Sequence, residues 1–503
     1  MGVTTTPATT ATGIRPVAPV ARIPVALVTG LMAVPLLLTA NRYGYFGDEL
    51  YFLAAGRHLA WGYVDQPPLL PLLARIMDEL GHSPFVLRIP ALLVMLGGVV
   101  FTALIARELG GGAKAQTLAA ATFAVATNFL AGGHYLATST VDPFLWTVLL
   151  WLLVRWLRTR ADGLLVWAGV VTAVALYTKF LVGGFWLAAG VALLVCGPRE
   201  LLRRPALWAG AAIAVVALVP TLLWQAAHGW PQLGMGAAIS QEVGGTWGGR
   251  LTFLPTALLT AGLPVGAVLL GYGLWRLLRS RELRFLGWTT LVLTVVFLAV
   301  NGRFYYVAGM YPLCWAVAAV ALERREPARW WRWIATWPGY ALAVILVVPV
   351  ALPIWPQSWL TEHPALPAPV FAFAEIGWPE GTRSVADAFA RLPGREHTAV
   401  VTETYWAASA LDRYGRDLGL PEPASGNRGY ATLAVPAEGA TDVLFVGQDP
   451  RPLLGHFTEL RPIGQVDTGG TKPSYFDGVP LWLATGRTEP WPALWPELVN
   501  THT

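Results

Sequence analysis

The feature that most constrains this chain is the recurrence of long apolar runs. They lie at about 23–40, 89–106, 115–131, 141–157, 163–178, 180–196, 205–227, 251–275, 285–300, 304–322 and 334–354, each bounded by charges or by Pro and Gly. A helix needs ~20 residues to cross a ~30 Å hydrocarbon layer at about 1.5 Å per residue. The pattern predicts a polytopic α-helical membrane protein with about 11 transmembrane helices. Length alone, 503 residues, would allow several soluble domains, but 55% hydrophobic and 13% charged residues exclude a water-soluble globule.

Charge is distributed unevenly. Residues 1–354 carry 25 Lys+Arg against 13 Asp+Glu, whereas residues 355–503 carry 10 against 17, within a total of +5. The basic residues recur in short gaps between apolar runs and form no continuous face, so nucleic acid is not an expected partner. With the N-terminus in the cytoplasm, 18 of the 25, Arg15 and Arg329 among them, fall on that side. The other seven, Arg42, Arg57, Arg75, Arg88, Lys179, Arg250 and Arg303, fall outside. The positive-inside rule therefore orients the chain, and eleven crossings put its C-terminal part outside. The first run, with Leu-Thr-Ala at its end, is similar to a cleavable signal, but its length reads as an anchor. Cys196 and Cys314 sit in or beside apolar runs and are expected to pack.

Residues 355–503 change character. Short apolar runs at 398–402 and 442–446 read as strands and Trp406 to Tyr414 as a helix, predicting an extracytoplasmic α/β domain of its own. The division is 1–22, a cytoplasmic segment; 23–354, the membrane domain; and 355–503, the outer domain.

Nearly fifty residues separate the first two runs, and a long loop on one side of a membrane protein is a place for function. Residues 48–61 carry helical spacing and predict an interfacial helix. Asp48 and Glu49 in its first turn have two readings: cap and dipole complement, or a carboxylate pair supplying a general base. Asp142, followed by Pro143, is either the N-cap of the fourth span or a second interfacial acid. Lys179 and Arg303 are either snorkelling cations or phosphate ligands. Gly110 to Gly112 follows no strand and is no phosphate loop. His58, His82, His134 and His228 lack metal-ligand spacing, so no metal site is expected.

Taken in order, Gly47-Asp48-Glu49-Leu50-Tyr51, Gly62-Tyr63-Val64-Asp65-Gln66-Pro67-Pro68-Leu69, Asp142-Pro143 and Arg303-Phe304-Tyr305-Tyr306 with Tyr311-Pro312 resemble the motifs of the C-type membrane glycosyltransferases. These are related to protein O-mannosyltransferases and the lipid A aminoarabinose transferase. The resemblance implies transfer of a sugar from a polyprenyl-phosphate donor to a glycan, lipid or protein acceptor on the outer face of the cytoplasmic membrane, with inversion. It implies no cofactor, with a divalent metal left open. Asp48 would be the base and Glu49 its positioning partner. Asp142, Tyr51, Asp65, Gln66, Tyr63 and His134 would bind substrate, and Lys179, Arg303, Arg88, Tyr305 and Tyr306 the phosphate. In the aminoarabinose branch a lysine precedes Pro-Pro; here it is Gln66, so Lys179, Arg303 or Arg88 must supply the charge. The rival reading, a transporter or flippase of lipid-linked sugars, predicts mid-membrane charges or Gly/Pro-broken helices with an internal repeat.

Overall fold

The computed structural model describes residues 17–325, 328, 330–363, 369, 371–470 and 474–501. Arg15, Arg329 and most of the expected cytoplasmic segment lie outside them.

In chain order the helices are α1 (Arg22–Thr39), α2 (Gly47–Arg57), α3 (Leu69–Leu80), α4 (Pro84–Glu108), α5 (Ala113–Ala124), α6 (Thr127–Gly132), α7 (Thr138–Thr159), α8 (Gly163–Thr178), α9 (Leu181–Cys196) and α10 (Pro205–Ala227). There follow α11 (Gln232–Thr246), α12 (Gly249–Thr260), α13 (Val265–Arg279), α14 (Arg284–Ala299), α15 (Tyr311–Arg324), α16 (Trp337–Ala351), α17 (Gln357–Glu362), α18 (Trp378–Ala390), α19 (Tyr405–Tyr414) and α20 (Trp491–Leu498). The strands are β1 (Thr398–Thr402), β2 (Asp442–Val446), β3 (Phe457–Gln465) and β4 (Pro480–Arg487).

The apolar runs do form helices, but not eleven straight spans. Among the described residues five segments are long and apolar enough to cross a membrane alone: α1, α4, α7, α10 and Phe304–Arg324, the last a 3-10 turn running into α15. Helices α8, α9, α14 and α16 are apolar but shorter. The run expected at 251–275 is two helices, α12 and α13, bent by 106°. Gly262, at φ +96°, and Pro264 cause the break, the first adopting a left-handed backbone and the second lacking an amide hydrogen. The run at 115–131 also breaks, between α5 and α6, and the two breaks meet: a Cβ on Gly262 would lie 2.5 Å from the Val125 carbonyl. Broken helices are what the transporter reading asked for, yet residues 261–265 and 125–126 carry no ionisable side chain.

Apolar side chains face both ways. On α1, Val25, Met32 and Leu36 are buried while Ile23, Leu31 and Leu38 are exposed, the pattern of a helix at the rim of a bundle in lipid. Gly169 and Gly210 bring α8 and α10 into backbone contact, a small-residue interface of the kind that suits helices in lipid. Helix α15 is central, with Tyr311, Leu313, Trp315 and Leu322 all buried.

Strands β1 and β2 cover the two runs read as strands, and α19 the run read as a helix. The sheet order is β1-β2-β4-β3, with β1 parallel to β2 and the other pairs antiparallel. Residue 354 divides the sequence but not the core, because one continuous apolar cluster takes in Leu50 and Tyr51 of α2 together with Val385 of α18 and Tyr405 and Leu411 of α19. The close approach is made by Gly47, whose missing side chain leaves room for the Trp406 ring.

Candidate functional site

An open cavity of about 580 Å³ lies where the first loop, the ends of several spans and the C-terminal part converge. Helix α2 supplies Asp48, Tyr51 and Phe52, and the loop after it Asp65, Gln66 and Pro67. Thr138 opens α7, Thr178 and Lys179 close α8, and Met235 and Ile239 come from α11. Arg303 and Tyr306 precede α15, and Tyr405 and Arg428 come from the C-terminal part.

Helix α2 begins at Gly47, with Phe46 as N-cap. Asp48 is therefore not the cap, and the capping role falls to Glu49, whose Oε2 accepts the Phe46 amide at 2.8 Å. Freed from the backbone, Asp48 turns to the cavity. Its Oδ1 accepts hydrogen bonds from the Tyr405 hydroxyl and the Trp406 indole nitrogen, both at 2.8 Å. Both donors lie on the first turn of α19, which Thr404 caps by accepting the Ala407 amide at 3.3 Å.

Opposite Asp48 stand the cations. Lys179, the residue that ends α8, lies 4.3 Å from the centre of the Tyr306 ring and 5.6 Å from that of Tyr305. Arg303 donates to the Tyr305 hydroxyl and to both oxygens of Glu242 on α11, each at 2.8 Å. Arg428 reaches the same carboxylate at 3.0 Å and the Tyr405 hydroxyl at 3.4 Å. Burial pushes the Glu242 carboxyl up, but the guanidiniums of Arg303 and Arg428 outweigh it and hold it below its ordinary range. Gln66 Nε2, Arg303 Nε and Arg428 Nε are buried without a hydrogen-bond partner.

Asp65 is partly buried beside Tyr51, whose hydroxyl donates to it at 2.8 Å. Burial raises the Asp65 carboxyl above its usual range, opposed by that hydrogen bond and by Arg428. Gly429 permits this pair to close, since a Cβ there would overlap the Tyr51 hydroxyl.

Seven sequence candidates thus meet at the cavity: Asp48, Tyr51, Asp65, Gln66, Lys179, Arg303 and Tyr306, with Tyr305 held just behind by Arg303. The other five also do not line it. Glu49 is fully buried in an ion pair with Arg88 at 2.9 Å, and it also accepts the Leu136 amide at 2.9 Å. Arg88 spends its remaining donors on the carbonyls of Ala40 and Gly44 and on His134, leaving none for a phosphate. His134 is enclosed between Arg88 and Glu375. Tyr63 closes the end of α2, its hydroxyl shared by Ala55, His58 and Ala60. Asp142 is no N-cap: α7 starts four residues earlier, at Thr138. It is buried and accepts the Trp146 indole at 3.1 Å.

Sequence reasoning missed Tyr405, Trp406, Arg428 and Glu242. The first three lie in two runs, 405–415 and 425–430, that resemble the tails of bacterial members of the same family, a likeness that assigns no role, and nothing in the sequence singles out Glu242. Among the described residues no group of three or more His, Cys, Asp or Glu is placed to hold a metal ion.

Residues 65–224, about a third of the chain, match the family model described as dolichyl-phosphate-mannose-protein mannosyltransferase. No curated protein matches the chain by sequence. Among solved structures, ArnT from Cupriavidus metallidurans in the apo state aligns with 92% of this chain and 98% of its own at TM-score 0.62 and 17% identity. The same protein bound to undecaprenyl phosphate aligns at TM-score 0.61 and 17% identity, over 92% of this chain and 97% of its own. The arabinofuranosyltransferase AftD from Mycobacteria aligns over 94% of this chain and 42% of its own at TM-score 0.51 and 15% identity. The chain shares the fold of ArnT along nearly its whole length.

Proposed function

We propose that this protein transfers a sugar from a polyprenyl-phosphate donor to an acceptor hydroxyl at the outer face of the cytoplasmic membrane. The observation that carries the reading is the cavity itself: Asp48, with one oxygen outside its two hydrogen bonds, and Asp65 share it with three cations, Lys179, Arg303 and Arg428, at the edge of a helical bundle. ArnT, whose fold this chain shares, is known with undecaprenyl phosphate bound, which supports a polyprenyl phosphate as the lipid partner.

In the proposed reaction Asp48 accepts the proton of the acceptor hydroxyl, whose oxygen forms a bond to the anomeric carbon. The bond from that carbon to the phosphate oxygen breaks, and the lipid phosphate leaves with the electron pair. A single displacement of this kind inverts the anomeric centre. Phosphate is already a good leaving group, so the protein must supply a base and positive charge where the anion forms. Lys179, which has no carboxylate within ion-pair distance among the described residues, takes the role that a lysine before Pro-Pro plays in the aminoarabinose branch. A neighbouring apolar slot lined by Val243, Trp247, Phe253 and Phe304 shares Arg303 with the cavity and suits the first prenyl units. The distribution of basic residues supports the N-terminus inside and the C-terminal part outside.

Purified protein is to be incubated with a panel of polyprenyl-phosphate sugars and scored for release of the free lipid phosphate. Release is expected with one donor class and should fall by about 10²–10⁴-fold in Asp48→Asn, the usual contribution of a general base. A folded Asp48→Asn with near-normal turnover would remove Asp48 from the role.

A further inference from the structure

We infer that Glu242 occupies the seat of the donor phosphate in the unliganded protein, as an internal carboxylate that the lipid phosphate displaces. Resting on the donor reading above, this assigns a residue of α11 to substrate selection.

Three observations converge on it. Arg303, at the entry to α15, and Arg428, from the C-terminal part, both direct a guanidinium at this one carboxylate, Arg303 at 2.8 Å to each oxygen and Arg428 at 3.0 Å to Oε2. Planar guanidiniums match carboxylates and phosphates alike, so a donor pair that holds the first can hold the second. The donors also exceed what Glu242 can accept, since Arg303 Nε, Arg428 Nε and Gln66 Nε2 are buried without partners on residues that line the cavity. A tetrahedral phosphate offers more acceptor oxygens, in more directions, than a carboxylate.

Charge balance is the second observation. Of the charged residues that line the cavity, Lys179, Arg303 and Arg428 are balanced by Asp48 and Asp65 together with Glu242, so the formal charge of these six is zero. Adding a phosphodiester anion with Glu242 in place would leave an excess negative charge among partly buried groups, which is unfavourable. Withdrawing Glu242 as the phosphate enters keeps the group neutral. A neutral prenyl lipid gains nothing from that exchange.

The third is the seating of α11. Gly229 and Trp230 before it, and Gly248 and Gly249 after it, all have positive φ. Within it only Met235, Ala238 and Val243 are buried, and Cβ atoms at Gly234, Gly236 and Gly245 would meet nothing within 4 Å. Its start is tied by Gln232, whose Nε2 donates to the Tyr63 carbonyl at 2.9 Å and whose amide donates to Gln225 Oε1 at 3.3 Å; towards its end, besides the Glu242 pairs, Asn301 donates to the Ser240 carbonyl at 2.6 Å. The ion pairs that the phosphate would take over are thus the charged contacts that hold its C-terminal half.

The experiment uses the full chain in lipid nanodiscs, with undecaprenyl phosphate as probe and undecaprenol as the uncharged control. Wild type should bind the phosphate in preference to the alcohol, and Glu242→Gln should bind the phosphate at least fivefold more tightly, because a neutral amide no longer competes for the arginines. If wild type binds the phosphate but Glu242→Gln binds it equally or more weakly, Glu242 is a brace between the arginines and the inference fails alone. If wild type shows no preference for the phosphate, the donor reading fails and takes the inference with it. Hydrogen exchange on wild type gives a test that no variant can spoil. Amides of residues 232–246 should exchange faster once undecaprenyl phosphate is bound, and unchanged or slower exchange would overturn the displacement.

Discussion

Asp48 takes both of its hydrogen bonds on one oxygen, and this divides the carboxylate into a held half and a free half. The Tyr405 and Trp406 donors fix the plane of the group, while Oδ2 takes neither bond and is the oxygen left for the acceptor in the proposed reaction. Hydrogen bonds to a charged acceptor contribute about 1.5–3 kcal/mol each, and part of that is lost in orientation when one is removed. Tyr405→Phe and Trp406→Phe are each expected to lower kcat about tenfold with little change in KM; steady-state rates with the identified donor check this. Asp65 makes a different prediction. Its folded-state carboxyl titrates above the unfolded one because burial disfavours the charge, so its ionisation costs stability at neutral pH, and the cost disappears as pH falls below the folded value. Asp65→Asn should therefore raise the melting temperature at pH 7–8, on the order of 1 °C for a chain this size, with the gain vanishing in acid. A gain that grows as pH falls would contradict the sign.

At the level of elements, the seam between α2 and α19 positions the Asp48 carboxylate. One end is set by Gly47 against the Trp406 ring and the other by the ion pair of Arg57 with Asp412. Alanine at an early helix position usually favours the helix over glycine by about 0.5–1 kcal/mol. Here its Cβ would overlap an aromatic ring, and overpacking costs about 1–3 kcal/mol. Gly47→Ala is thus expected to lower both the melting temperature and kcat, against its helix propensity. The elements were largely legible in the sequence because apolar runs and short strands are local patterns. What was not legible were their breaks and starts. The kink at Gly262 to Pro264 lies inside an unbroken apolar run, and the start of α7 at Thr138 lies ahead of the Asp-Pro pair that usually marks one. At the cavity, residues within the first loop and the span ends could be found because they stand out as charges among apolar neighbours. Tyr405, Trp406 and Arg428 could not, since nothing in a surface-like sequence says that it folds back onto a helix more than 350 residues earlier.

For the molecule as a whole, the buried group of Glu49, Arg88, His134 and Glu375 ties the first loop, α4 and the C-terminal part together. Glu375 lies 3.8 Å from Arg88 and 3.3 Å from His134, whereas Glu49 meets Arg88 at 2.9 Å and also holds two backbone amides. Removing Glu49 strands a buried guanidinium, at about 3–5 kcal/mol, and removing Glu375 leaves Arg88 paired, at about 1–3 kcal/mol. Thermal unfolding in detergent should rank Glu49→Gln below Glu375→Gln, and the opposite order would reject the assignment of Glu49 as the main partner.

The hydrogen bond from Tyr405 to Asp48 spans 357 residues of chain. A ribosome adding about 5–20 residues per second makes Asp48 roughly 20–70 s before its partner. On the reading proposed above, the nascent protein in that interval has its base unclamped and Arg428 not yet made, so activity is expected only once the tail has folded down, and a chain cut before residue 405 should release no lipid phosphate.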